Sequence, residues 1–156
     1  MATRLEELTS AVRQRWLSDR LGIVNVSPAE IEAVEQRIGG PLPSEHRFVL
    51  ENAGVPAAQD GLGFRFWHPS EFKLGASSRK TEGGRIGNGT AYIFADYLDE
   101  SWWFAISFAG PSRGMVFREL GDETSAPEPP IGDICTFLSA YIEDNVALYG
   151  RRNVTE

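Results

Sequence analysis

Apolar residues recur at helical spacing from the start of the chain. Leu5, Leu8, Val12, Trp16 and Leu17 follow the period of a helix predicted over residues 4–20, with arginines mostly between them and Gly22 as its stop. The next helix is punctuated more sharply. In "VSPAEIEAVEQRIGG", Ser27 takes the N-cap and Pro28 the first helical position. Glu30, three residues after the cap, completes a capping box. Ile31, Val34 and Ile38 form its apolar stripe, and Gly39 or Gly40 supplies the left-handed residue that closes it. Pro41 pushes Gly40 out of the helical region. Pro43 then opens a third helix to about Ala53, with Phe48, Val49 and Leu50 as apolar content and Gly54 as its end. Residues 39–43 therefore form a stiff joint that fixes the angle between two short helices.

Past residue 54 the period changes to two. "GFRFWH" puts Phe64 and Phe66 on one face of a strand. Further strands are predicted at 90–96, 101–108 and 114–120, separated by a polar turn at 97–100 and a glycine–proline turn at 109–114. Residues 102–108 are apolar on both faces, as a central, covered strand would be. Turns this short make the strands antiparallel neighbours. Residues 74–89, rich in glycine, serine and charge, and the acidic, proline-rich 121–130 are predicted surface loops. A last helix is predicted from Asp133, its N-cap, to Tyr149. Its stripe is Ile134, Phe137, Leu138, Tyr141, Ile142 and Leu148, and Gly150 closes it. Residues 151–156 are expected to fray. The order predicts one α+β domain over residues 1–156, with an N-terminal helix within 1–22. Its mixed, mostly antiparallel sheet would be flanked by the N-terminal helices and a C-terminal helix.

Charge and cysteine content narrow the function classes. The 156-residue chain carries a net charge of −7, a surface that repels nucleic-acid phosphates and attracts basic partners. Its one cysteine, Cys135, excludes an internal disulfide. "MATRLEELTS" lacks the apolar run of a signal peptide, and no stretch approaches bilayer-spanning length. A cytoplasmic protein with no membrane and no nucleic-acid partner is expected.

Catalytic chemistry finds little support. His46 and His68 have no neighbouring ligands at metal spacing, so no metal site or cofactor is expected. Cys135, in the first turn of the last helix, sits within an apolar pattern that suits a core residue better than a reactive thiol. "EGGRIGNG" at 82–89 lacks both the Walker lysine and the strand-to-helix context of a dinucleotide loop. The carboxylates Glu30, Glu32, Glu35, Asp96, Asp99 and Glu100 would serve a hydrolase if two of them, or a histidine, converged in a cleft. "ADYLDESWW" instead joins acidic and aromatic residues as interfaces with basic proteins do.

The segment "SPAEIEAVEQRIGGPLPSEHRFVLENAG", residues 27–54, resembles the opening motif of the SUKH superfamily. That group includes fungal Smi/Knr cell-wall synthesis regulators and many bacterial immunity proteins. Ser27, Pro28, Glu30, Ile31, Glu35, Gly39, Leu42, Pro43, Phe48, Leu50, Asn52 and Gly54 carry the match. "YIFADYLDESWWFAISFAGPSRGMVF" is similar to the family's paired strands and "DICTFLSAYIE" to its closing helix. "VPAAQDGL" departs from the pattern by lacking a second glycine after the third helix. The resemblance implies a non-catalytic protein-binding domain, above all an immunity protein that neutralises a cognate toxin domain, and the net charge of −7 makes a basic surface the expectation for that toxin. The other implied role is an intracellular scaffold with a housekeeping partner. Neither role brings catalytic or fixed binding residues with it. Asp96, Asp99, Glu100, Trp102 and Trp103 are the expected partner contacts.

Overall fold

A computed structural model describes residues 2–74, 91–98, 102–119, 129–143 and 148. The first helix, α1 (Arg4–Ser18), starts in a capping box of its own. Glu6 N donates to Thr3 Oγ1 at 3.1 Å and Thr3 N to Glu6 Oε1 at 2.8 Å. Strand β1 (Ile23–Val24) leads to α2 (Pro28–Ile38), whose ends are those expected. Ser27 and Glu30 exchange capping bonds of 3.1 and 2.9 Å, and Gly39 closes the helix at φ +94°. Helix α3 (Ser44–Ala53) stops at Gly54, where φ is +70° and an added Cβ would lie 2.6 Å from the Val24 carbonyl oxygen. That close approach lets β2 (Val55–Pro56) pair with β1.

The joint at 39–43 is bolted from both sides. Leu42 N donates to Glu35 Oε2 at 2.9 Å. The Arg113 guanidinium donates to the carbonyls of Pro41 at 3.3 Å and Leu42 at 3.1 Å, and to that of Phe108. The joint is thereby held against the turn at 109–114.

The sheet comprises β3 (Phe64–Phe66), β4 (Lys73–Leu74), β5 (Ala91–Tyr97), β6 (Trp102–Ser107) and β7 (Val116–Glu119), with a 3₁₀ turn at Pro69–Glu71 between β3 and β4. Its order is β3-β5-β6-β7, and β4 also pairs with β5. Every described pairing is antiparallel, so the parallel component expected of a mixed sheet is not seen there. β6 is internal, as its apolar run required. Helix α4 (Ile134–Ile142) is capped by Asp133, whose Oδ1 accepts from Thr136 N at 2.8 Å.

The fold is α+β, and α1 packs against α3 and α4. Phe64 stacks on Phe104 at 5.2 Å, while Tyr141 meets Phe64 and Phe66 edge-on at 5.0 Å each. Trp16 meets Phe66 at 5.1 Å, so this aromatic cluster joins the sheet to α1 and α4. Leu17, assigned to the helical stripe, is 47% exposed, because it follows Trp16 around the helix and leaves the packed side. Among the described residues no helix is long and apolar enough to cross a membrane. The expected loops at 74–89 and 121–130 lie almost wholly outside the described residues, as do "EGGRIGNG", Gly150 and the tail.

Candidate partner-binding surface

Register decides where the expected contact residues go. Arg65, Asp96 and Trp103 form one cross-strand row on β3, β5 and β6. Asp96 is 0% exposed. Its Oδ2 accepts from Trp67 Nε1 at 2.5 Å and lies 3.1 Å from Arg65 Nη2. The expectation of Asp96 as a surface acid is therefore corrected: its charge is consumed inside the fold, because a buried carboxylate must be paired. Arg65 also reaches Glu71 at 3.2 Å and lies 5.2 Å from the centre of the Trp67 ring. Lys73 Nζ stands 5.5 Å from the rings of both Trp67 and Trp103. Cations lie against both indoles of this face, where the sequence suggested acids beside aromatics.

Trp102 and Trp103 are consecutive on β6 and take opposite faces, both half-buried. Trp102 packs on Tyr97 at 5.1 Å, donates from Nε1 to the Leu148 carbonyl at 3.3 Å and lies 5.7 Å from the Arg118 guanidinium. The structure thus unites Asp96 with Trp103 and separates both from Trp102. Asp99 and Glu100 lie outside the described residues.

The candidate catalytic groups are engaged elsewhere. His46 is buried, with Nδ1 2.7 Å from the Tyr92 hydroxyl and its ring stacked near Phe72 and Tyr92, each at 5.7 Å. Burial lowers its pKa to about 3 and raises that of Tyr92 well above the ordinary phenol range. His68 caps the 3₁₀ turn by accepting from Ser70 N at 3.1 Å, and its Nε2 lies 3.4 Å from Glu30. Glu30 sits below the usual carboxylate range, first because the Ser27 backbone N–H donates to it and then because of His68. Cys135 is buried, and desolvation pushes its thiol up, away from reactivity. Among the described residues no group of three or more His, Cys, Asp or Glu side chains could hold a metal ion.

Asp60 was not anticipated. It is 7% exposed, and Oδ1 accepts from Leu62 N and Phe64 N at 2.9 Å each. Oδ2 accepts from the Tyr141 hydroxyl at 2.6 Å, and that hydroxyl accepts from Trp16 Nε1 at 3.2 Å. Desolvation and Asp60 together raise the Tyr141 phenol pKa strongly. The sequence hint was an acid shortly before an apolar alternation, a common turn position.

Two leucines stand exposed at this end of the sheet. Leu62 is 42% and Leu98 45% exposed. Their turns are joined, because Leu98 N donates to the Gly63 carbonyl at 2.8 Å. A Cβ on Gly63 would lie 2.7 Å from Leu98 Cδ2, and Leu98 itself holds φ +54°, an unusual setting for a side chain of its size. The two leucines mark the end of the β5–β6 hairpin, next to the expected acidic turn. Compared with protein-family models, with curated proteins and with solved structures, the chain matches none.

Proposed function

We propose that this chain is a non-catalytic protein-binding domain of the SUKH type, an immunity protein that binds and neutralises a toxin domain with a basic surface. The observation that carries the reading is the hairpin end. There Leu62 and Leu98, each more than two-fifths exposed, are presented on turns hydrogen-bonded to one another. Apolar anchors rimmed by charge are the usual make-up of a protein contact. The motif at 27–54 agrees with a binding domain of this type, and the net charge of −7 agrees with a basic protein partner. Trp102, packed on Tyr97 at the same end, stays in the proposed contact, as do Asp99 and Glu100 as steering charges. Trp103 flanks it from the other face, and Asp96 drops out.

The test begins with the reading frames beside the gene. A neighbour ending in a toxin-like domain is to be co-expressed with this chain, which should protect the host and co-purify with the domain. The double variant Leu62→Asp/Leu98→Asp should fold and lose protection. Full protection by that variant would move the contact elsewhere. Wall-synthesis or metabolic neighbours, with no toxin bound, would replace the immunity reading by that of a Smi/Knr-type scaffold.

A further inference from the structure

The C-terminal end of α1, where Arg15 reaches the last carbonyls of α4, borders one open cavity. Its volume is about 430 Å³, and Arg15, Asp19, Leu21, Asp60, Gly61 and Leu62 line it. Negative potential reaches it from several sources. Asp19 is the C-cap of α1, with its side chain 47% exposed. Asp60 contributes a carboxylate held in place by three hydrogen bonds. Helix α1 also ends here, and its C-terminus carries a partial negative charge of about half a unit.

Arg15 is the cation of this lining, and its position is set by α4. Its Nη1 donates to the carbonyls of Tyr141 at 3.1 Å and Ile142 at 3.0 Å, and its guanidinium lies 4.9 Å from the centre of the Tyr141 ring. Its Nε is 3.9 Å from Asp19, a loose contact. The lining thus sets one guanidinium against two carboxylates and the end of α1, so the cavity keeps an excess of negative charge. Leu21 and Leu62 supply apolar wall.

Such a cavity suits a long-stemmed cation. Methylenes can lie along the leucines while the charged head faces Asp19. An acidic side chain would meet like charge, and a purely apolar one would cover Asp19 without compensation. We propose that the cavity is the socket for an arginine or lysine side chain presented by the protein partner. The proposal rests on the binding reading above and deepens it by naming the anchor, which Leu62 would border.

The intact chain is to be titrated with Nα-acetyl-arginine amide while the backbone amide resonances of Leu21, Gly61 and Leu62 are followed by NMR. Nα-acetyl-norleucine amide and Nα-acetyl-glutamate amide are the uncharged and acidic controls. Saturable shifts at those amides are expected with the arginine compound, with a Kd of about 1–10 mM. Asp19→Asn, at an exposed site, should weaken that binding about three- to fivefold. Equal shifts with norleucine, stronger shifts with glutamate, shifts mapping elsewhere, or an affinity unchanged in Asp19→Asn would each overturn the socket. The probe needs no toxin. Arginine binding without any toxin partner would keep the socket and discard the immunity reading, and protection without arginine binding would do the reverse.

Discussion

At the scale of single residues, two buried polar groups set how the protein responds to its surroundings. His46 has a pKa of about 3 in the fold against an ordinary value of 6.5. The unfolded chain therefore takes up a proton below pH 6.5 that the folded chain refuses until about pH 3. Stability from this group is full above about pH 6.5 and falls by about 1.4 kcal/mol per unit as the pH drops through that window. Urea unfolding should show a loss of about 1.5–2 kcal/mol between about pH 6.5 and pH 5 that is absent in His46→Gln. Equal losses in both proteins would show that His46 does not carry the effect. Asp96 matters through its contacts, with Trp67 and Arg65 on its Oδ2. Asp96→Ala leaves the Trp67 N–H without its acceptor and should cost about 2–3 kcal/mol in the same assay. A surface acid would cost less than about 0.5 kcal/mol.

At the scale of elements, the glycines that close α2 and α3 make unequal demands. At Gly39, φ is +94° and an added Cβ would meet nothing within 4 Å, so Gly39→Ala carries backbone strain alone, about 1 kcal/mol. Gly54 combines φ +70° with the Val24 carbonyl at 2.6 Å, so Gly54→Ala must also force β1 away from the end of α3. Thermal unfolding should rank Gly54→Ala well below Gly39→Ala, and the reverse order would contradict this packing. Elements like α2 were legible because their signals are local: Ser27, Pro28, Glu30 and Gly39 act within one stretch of chain. The long strands β5 and β6 were legible from their apolar runs. β1, β2 and β4 are two residues each, too short to show a period, and exist because a partner strand holds them. The misreading of Asp96 has the same root. It sits inside the apolar run of β5, and Arg65 holds the matching place in "FRFWH". Pairing the two required a register that local sequence does not contain.

At the scale of the whole molecule, the charge of −7 governs encounter more than adhesion. Stopped-flow association with a basic toxin domain should slow about tenfold or more from low to high salt, with a smaller change in the dissociation rate. A salt-independent association rate would argue against a basic partner. The link from Trp16 through Tyr141 to Asp60 has another consequence, in the order of events during translation. The hydroxyl that accepts from the Trp16 indole N–H lies 125 residues downstream and is made correspondingly later. The emerging N-terminal helix can find α3, but one side of it stays uncovered until the ribosome has released α4. A nascent chain stalled before Tyr141 should expose that side to chaperones, and release of α4 should end the exposure in a single step.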